Sequence, residues 1–137
     1  MRSYSKQFKR YMPTEEEIRE QRDKQLSYEP MVSIVVPAYE TPETYLRELL
    51  ESVFMQSYWN WELCIADGSK SDAVEKTVEK YADERICYKR LSRNGGISEN
   101  TNAGFDMAEG EYLILMDHDD LLAEHALYEM VTCLNEC

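Results

Sequence analysis

Residues Glu111–Leu122 read E-Y-L-I-L-M-D-H-D-D-L-L, and the expected fold follows from this stretch. Its first half, Tyr112–Met116, is an unbroken apolar run that is too short for an ordinary helix. Such a run predicts a strand that is buried on both faces of a parallel sheet. The second half places three carboxylates, Asp117, Asp119 and Asp120, directly after that strand. Because ligands of open α/β sheets bind outside the carboxyl ends of the strands, the stretch predicts a ligand site at this edge.

The three carboxylates themselves indicate a cation. Clustered carboxylates repel one another unless a cation or hydrogen-bond donors compensate their charge. Oxygen-only ligands suit a hard divalent ion such as Mg²⁺ or Mn²⁺. The alternative is a strand-to-helix turn in which Asp119 or Asp120 only caps the following helix. The acidic run alone leaves both interpretations open.

Length and charge narrow the classes of protein and partner. A chain of 137 residues is long enough for one core and one domain. The net charge is −12, and residues 31–137 carry eight basic and 21 acidic residues. An acidic surface of this kind repels nucleic acid and anionic lipid, so we expect no nucleic-acid partner. An anionic ligand would need a bound cation or local donors.

Targeting signals and cysteine spacing indicate the compartment. No apolar run approaches the roughly 20 residues that span a bilayer, so we expect no transmembrane segment. No secretory signal is visible. We therefore expect a cytoplasmic location, or one at the inner face of the membrane through the parent protein. Cysteines 64, 87, 133 and 137 show no C-x-x-C spacing, which predicts reduced, structural cysteines.

Residues 1–30 are predicted to form a charged helical arm. Thr14 and Glu17 have the spacing of a capping box, and a highly charged helical segment follows to about Leu26. Apolar residues are sparse in this segment, so we expect the helix to be stable only when docked on another surface. Pro30 separates the arm from the core.

Strands and helices alternate through the rest of the chain. Strands are predicted at 31–36, 61–66, 85–91 and 112–116, and helices at about 41–54, 71–81, 98–108 and 123–137. This alternation predicts an α/β fold with a parallel sheet of about four strands and right-handed crossovers. Residues 31–137 are thus expected to form one Rossmann-like half-domain flanked by helices.

Polar residues follow each predicted strand. Tyr39 and Glu40 follow the first strand, Asp67 the second, residues 93–96 the third and residues 117–120 the fourth. One crevice would then hold an aromatic face, an acidic acceptor, a flexible backbone turn and a cation site. A nucleoside diphosphate needs these parts, because its base stacks on a ring, its N–H meets a carboxylate and a metal screens its diphosphate.

Four segments in order resemble the family 2 glycosyltransferases. They are V-S-I-V-V-P-A-Y-E (Val32–Glu40), A-D-G-S (Ala66–Ser69), N-G-G-I-S-E-N-T-N-A-G-F (Asn94–Phe105) and G-E-Y-L-I-L-M-D-H-D-D (Gly110–Asp120). Four motifs in register are far more specific than any one of them. The resemblance implies the nucleotide-sugar-binding half of a GT-A fold. It is closest to bacterial enzymes that build surface polysaccharides, including those similar to rhamnosyltransferases.

The resemblance also implies roles for individual residues. Asp67 would accept a hydrogen bond from the base, and Ala66 stands where the family usually has a second acid. Residues 117–119 match the D-x-D motif, in which Asp119 ligates Mn²⁺ or Mg²⁺ and Asp117 holds the ribose or a metal-bound water. The implied nucleotide-binding residues are Pro37, Ala38, Tyr39, Glu40, Asp67, Asn94, Gly95 and Asp117, and the implied metal ligands are Asp119 and Asp117.

Structural alternatives remain for these residues. Tyr39 has the alternative of packing at a strand end, and Asp67 that of an Asx turn. Residues 94–96 have the alternative of a simple turn. Asp120 is expected to cap a helix, and His118 is expected to point outward.

The expected function is the donor-binding half of an inverting, metal-dependent glycosyltransferase. It would transfer a sugar from a UDP- or dTDP-linked donor to a polysaccharide or other glycan acceptor. The family's general base lies in a second half, which is expected beyond Cys137. We therefore expect a truncated enzyme that binds its donor but lacks the acceptor half. A non-catalytic nucleotide-sugar-binding or assembly module is the alternative.

Overall fold

The computed structural model of the chain describes residues 12–137, in which strands and helices alternate. In order, the elements are α1 (Glu15–Asp23), β1 (Val32–Ala38), α2 (Glu43–Phe54), β2 (Trp61–Asp67), α3 (Ala73–Glu79), β3 (Ile86–Arg90), α4 (Gly96–Met107), β4 (Tyr112–Leu115) and α5 (Ala126–Glu136). The predicted α/β alternation is confirmed.

The four strands form one parallel sheet in the order β3-β2-β1-β4. The chain moves outward from β1 through β2 to β3 and then crosses to the other side of β1 to form β4. Parallel sheets bind ligands where the strand order reverses in this way. That point lies between the carboxyl ends of β1 and β4.

One face of the sheet carries the main core. Alternate residues of β1 and β2 project onto it, including the fully buried Ile34 and Ile65. Helix α2 covers them because its apolar residues recur at helical spacing and are fully buried, namely Leu46, Leu49, Leu50 and Val53. Replacing one such leucine by alanine costs about 2–5 kcal/mol in comparable cores.

Helix α4 packs on the opposite face of β1 and β2. Gly104 makes this close approach possible, because a side chain there would clash with the Val35 side chain. The buried residues of the helix lie along one stripe and include Asn100 and Thr101. This packing aims the amino end of α4 at the carboxyl edge of the sheet.

The prediction that β4 is buried on both faces is wrong. Leu113 and Leu115 are 50% and 53% exposed, whereas Tyr112 and Ile114 are half-buried. β4 is an edge strand, and α4 lies over β1 and β2 instead of over it. An apolar run cannot by itself distinguish a covered central strand from an edge strand with one open face.

The last helix begins at Ala126 rather than at 123. Gln56, just beyond the end of α2, holds the preceding segment in a non-helical conformation. Its amide nitrogen donates to the Ala123 carbonyl at 2.7 Å, and its amide oxygen accepts from the Leu127 N–H at 3.2 Å. The Ser57 N–H donates to the Glu124 carbonyl at 2.8 Å. These bonds use backbone groups that a longer helix would need.

The described part of the arm docks on the core. Thr14 caps α1 by accepting the Glu17 N–H at 3.2 Å, as the capping box predicts, and the helix ends at Asp23 rather than Leu26. Ile18 is 7% exposed, and the Ser57 hydroxyl donates to the Gln21 side chain at 2.7 Å. Residues 1–11 of the predicted arm lie outside the described residues. The division at residue 30 stays a prediction.

The described residues also bear on two further points, the membrane-spanning potential of the helices and the state of the cysteines. Between residues 12 and 137, no helix combines the length and apolar character needed to cross a bilayer. The four cysteines are free, with Cys64 buried and Cys133 and Cys137 exposed.

Candidate functional site

A cleft of about 440 Å³ opens at the carboxyl edge of the sheet, between β1 and β4. It exists because β4 ends opposite Val35, three residues before β1 ends at Ala38. The Val35 carbonyl accepts the Met116 N–H at 2.9 Å, and Pro37, two residues on, faces the side where no strand continues. Proline lacks an N–H, so no donor is left unpaired there. This acidic cleft is lined by Pro37, Ala38, Tyr39, Asn94, Gly96, Ile97, Asn100, Asp117, His118 and Asp119.

A second cleft, of about 670 Å³, adjoins the first beyond the ends of β2 and β3. It shares Tyr39 and Asn94 with the acidic cleft. Three cationic residues contribute to its wall, in contrast to the acidic chain as a whole. This basic cleft is lined by Tyr39, Gly68, Ser69, Lys70, Arg90, Leu91, Ser92, Arg93 and Asn94.

Residues 117–120 form a closed turn that presents carboxylates to solvent. The Asp120 N–H donates to the Asp117 carbonyl at 3.1 Å, and the Asp117 N–H donates to Oδ2 of Asp120 at 3.2 Å. Asp120 therefore closes this turn and does not cap α5, which begins six residues later. The helix-cap expectation for Asp120 is wrong.

The donor set of this acidic turn fits a hard divalent cation. Asp117, Asp119 and Asp120 are exposed, and one carboxylate oxygen of each lies within 4.8 Å of the others. None of the ion pairs within residues 12–137 involves these acids. Carboxylate oxygens at this separation suit Mg²⁺ or Mn²⁺.

His118 points inward, contrary to the sequence expectation. Its Nδ1 lies 2.5 Å from the hydroxyl oxygen of Thr41, which is only 3% exposed. The Tyr39 N–H lies 3.5 Å from the same nitrogen. The histidine thus ties the loop after β1 to the acidic turn. The position of His118 within the D-x-D motif did not predict this contact.

Glu40 clamps the loop after β1 to the loop after β2. Its carboxylate accepts the Lys70 N–H at 2.7 Å, the Ser71 N–H at 2.9 Å and the Ser71 hydroxyl at 2.7 Å. These hydrogen bonds from Ser71 and Lys70 lower the pKa of Glu40 below its usual range. Its own N–H donates to the Ser69 hydroxyl oxygen at 2.7 Å. The clamp also holds Glu40 at a φ of 45°, a conformation that costs non-glycine residues on the order of 1–3 kcal/mol.

Asp67 is fully buried behind the wall of the basic cleft. Its Oδ1 accepts the Ser69 N–H at 2.9 Å, and its Oδ2 accepts the Tyr88 hydroxyl at 2.5 Å. Burial and the neighbouring Asp67 raise the pKa of Tyr88. The Asx turn offered as the alternative is therefore present. A role for Asp67 toward a base stays a prediction.

The turn before α4 is built by two asparagines. Oδ1 of Asn94 accepts from the Asn100 amide at 2.7 Å and from the Gly96 N–H at 3.2 Å. The Asn100 oxygen accepts the Gly95 N–H at 3.3 Å. Gly68 permits this packing, because an added Cβ would lie 2.8 Å from the Asn100 amide nitrogen.

Sequence reasoning missed Asn100, although its neighbours Asn94 and Gly95 in the same motif were among the predicted site residues. Asn100 is 3% exposed and lines the acidic cleft, whereas Asn102 is exposed. The spacing in the sequence could have indicated that Asn100 is buried. Asn100 lies one helical turn before Gly104 and therefore lies on the same packed face of the helix.

The structure thus brings together six of the predicted site residues. Those lining the acidic cleft are Pro37, Ala38, Tyr39, Asn94, Asp117 and Asp119. Glu40, Asp67 and Gly95 lie next to the clefts without lining them, and Gly96 occupies the place expected for Gly95. Their binding roles stay predictions.

Comparisons with known proteins agree on one family. The sequence model of the family described as glycosyl transferase family 2 matches residues 33–136. The chain is 40% identical over 109 residues to the protein y4gI of Sinorhizobium fredii, and 34% identical over 113 residues to an uncharacterised glycosyltransferase of Rickettsia typhi. These alignments cover 77% and 82% of the chain but only 12% and 35% of the relatives. The chain therefore spans about a third or less of these curated relatives.

A solved structure gives the same result for the fold. TarS of S. aureus, crystallised in complex with UDP-GlcNAc, superposes with a TM-score of 0.71 at 29% identity. The match covers 77% of this chain and 31% of that chain. The four-stranded sheet and its helices correspond to the Rossmann-like part of a GT-A fold. The chain belongs to glycosyltransferase family 2.

Proposed function

We propose that this domain binds a UDP- or dTDP-linked sugar across the two clefts, together with Mn²⁺ or Mg²⁺. The observation that carries the proposal is the acidic turn, which opens into a cleft that continues past Tyr39 into a basic one. A nucleotide sugar has a matching order of parts, with a planar base at one end and a diphosphate in the middle. The relative TarS, crystallised with UDP-GlcNAc, supports this class of donor.

In this arrangement the nucleobase of the donor binds in the basic cleft. Tyr39 is 41% exposed at the junction of the clefts and offers a ring face on which a base can stack. Lys70 and Arg93 are exposed in the wall and attract an anionic nucleotide to an otherwise acidic chain. Uracil and thymine present the same N–H edge, so both remain within the proposed donor class.

The diphosphate belongs beside the acidic turn. Asp119 is the proposed main ligand of the cation, and Asp117 is the proposed second ligand. Asp120 already uses one oxygen to close the turn. A bound divalent cation neutralises charge on the diphosphate as it departs. The clamp at Glu40 and the contact of Thr41 with His118 hold Tyr39 and the turn in place for this complex.

Transfer to an acceptor is proposed for the whole protein. An inverting reaction needs the acceptor hydroxyl in line behind the anomeric carbon and a base to take its proton. We propose that the catalytic general base and the glycan-binding surface lie outside residues 31–137. This chain alone would then bind the donor but transfer its sugar poorly. We also propose a cytoplasmic site of action, because four free cysteines suit a reducing compartment.

A thermal-shift panel tests the proposed ligand class. UDP, dTDP and GDP are added with and without Mn²⁺, and inorganic pyrophosphate with Mn²⁺ serves as the base-free ligand. We expect UDP and dTDP to raise the unfolding temperature only when Mn²⁺ is present. A ligand at 100 times its Kd adds about 2.7 kcal/mol to the free energy of unfolding. Equal shifts with and without Mn²⁺ would place the diphosphate in the basic cleft instead and contradict the proposed cation site.

A further inference from the structure

A second group of potential ligands lies on the sheet face that α4 covers. Glu62 and Cys64 alternate on β2 and therefore share this face. Cys87 on β3 is paired in register with Cys64. One ligand atom from each of the three residues lies within 4.8 Å of the others. This thiol–carboxylate cluster (Glu62, Cys64, Cys87) lies nearer the amino ends of the strands than the clefts do.

The carboxylate of the cluster is held through one oxygen. Glu62 is 6% exposed, and its Oε1 accepts from the Ser33 hydroxyl at 2.6 Å, the Glu109 N–H at 2.6 Å and the Cys64 thiol at 3.6 Å. Within residues 12–137, no hydrogen bond or ion pair engages Oε2. Oε1 thus accepts three hydrogen bonds, whereas the lone pairs of Oε2 stay available for a ligand.

The neighbouring carboxylates that act on the two thiols are negatively charged. Burial and the charge of Glu62 raise the pKa of Cys64, and the same causes raise the pKa of Cys87. Glu109 adds further negative charge beside Cys87. Thiols with a raised pKa react slowly with oxidants, because little thiolate is present. A metal ion would instead displace their protons and bind the thiolates.

We infer that Glu62, Cys64 and Cys87 bind a borderline-soft divalent cation of the zinc class, at a site separate from the acidic turn. Two thiolates and one carboxylate favour Zn²⁺ over the Mg²⁺ or Mn²⁺ expected at an all-oxygen site. Cys87 is half-buried on the edge strand β3, which gives an ion a route to the site. The fourth position is left for water or for Glu109. Such a metal would link β2 and β3 to the turn before β4.

The test uses Co²⁺ as a spectroscopic probe for the zinc site. Cys133 and Cys137 lie one helical turn apart and are exposed, so both are first replaced by serine. In this background Cys64 and Cys87 supply all the thiols. Free thiols are counted before the titration to establish that both are reduced. We expect one equivalent of Co²⁺ to produce a sulfur-to-metal charge-transfer band that Zn²⁺ abolishes by displacement. The acidic turn cannot produce this band because its ligands are oxygens.

Four further variants separate the cluster from other sites. Cys87→Ser should remove the band, and Cys64→Val should do the same while keeping an apolar side chain in the core. Glu62→Gln keeps an oxygen acceptor for Ser33 and the Glu109 N–H but lacks the charge, so Co²⁺ affinity should fall at least roughly tenfold. Asp119→Asn should leave the band unchanged. Circular dichroism checks that each variant is folded.

Two results would overturn the inference. One is the absence of a charge-transfer band in the background protein with two counted thiols. The other is a band of unchanged intensity in folded Cys87→Ser. Neither result bears on the proposed donor site, because the thermal-shift panel measures nucleotide binding, whereas the charge-transfer band measures metal binding by thiolates.

Discussion

The Tyr88 hydroxyl donates a hydrogen bond of 2.5 Å to Oδ2 of the fully buried Asp67. This bond joins β2 to β3 directly behind the basic cleft, and the other Asp67 oxygen holds the Ser69 N–H at 2.9 Å. The carboxylate that the family resemblance assigns to the base is thus also a structural anchor. The two roles have different experimental consequences.

The anchor role is tested by removing the Tyr88 hydroxyl. Tyr88→Phe leaves Oδ2 of Asp67 buried without this partner, which should lower the free energy of unfolding by about 1–3 kcal/mol. Urea denaturation measures the change. Tyr45→Phe is the matched control, because Tyr45 is 51% exposed. Equal stability of the two variants would show that the bond does not stabilise the fold.

The base-selecting role is tested by removing the Asp67 charge. Asp67→Asn should weaken the binding of UDP in the presence of Mn²⁺ by on the order of 1 kcal/mol, because an amide oxygen accepts a hydrogen bond from the base N–H more weakly than a carboxylate does. Binding of pyrophosphate with Mn²⁺ should stay unchanged. Calorimetry measures both ligands on the same protein. Equal losses for the two ligands would indicate that Asp67 acts only through the fold.

The clamp at Glu40 should depend on pH. Its hydrogen bonds lower the pKa of Glu40, so its contribution to stability is present above the unfolded value of about 4.3. That contribution is lost as pH falls through the lower pKa of the folded state. Glu40→Gln should therefore be less stable than the parent at pH 7, and the difference should shrink in strong acid.

Thermal unfolding at several pH values measures this difference. Glu48→Gln, at an exposed position of α2, controls for the loss of a surface charge. A difference that stays constant from pH 7 into strong acid would contradict the clamp.

The two asparagines of α4 should behave differently although they are two residues apart. Asn100→Ala removes the partner of Asn94 and of the Gly95 N–H, which should cost about 1–3 kcal/mol of stability and weaken UDP binding. Asn102→Ala, at an exposed position, should stay within about 0.5 kcal/mol of the parent. Urea denaturation and calorimetry compare the pair. Similar effects at both positions would contradict the role assigned to Asn100.

The sequence was sufficient to predict the elements of the fold and the edge of the sheet at which the clefts lie. Helical spacing of Leu46, Leu49, Leu50 and Val53 predicted α2, and alternation of strands and helices predicted a parallel sheet. The helical spacing is a local pattern and the alternation repeats along the chain, so both can be recognised without knowing the tertiary structure. The open face of β4 was not predictable, because the exposure of Leu113 depends on where α4 crosses the sheet.

Side-chain contacts between loops were predicted least well. The Glu40 carboxylate is engaged 30 residues away at Lys70, and His118 contacts Thr41 across 77 residues. No spacing rule connects positions so far apart in sequence. Motif residues could therefore be placed at the site, but a residue that lines the cleft could not be distinguished from one that positions its neighbour.

Calorimetric titration of UDP into the parent chain and Asp119→Asn, each with and without Mn²⁺, tests the central claim most directly. The substitution keeps the shape of the side chain but removes the charge that would hold the proposed cation. Asp106→Asn, at an exposed position of α4, is the control for lost charge. We predict that Mn²⁺ strengthens UDP binding at least roughly tenfold in the parent and in Asp106→Asn, and that this gain is absent in folded Asp119→Asn. An unchanged Mn²⁺ dependence in Asp119→Asn would contradict the assignment of the acidic turn as the cation site.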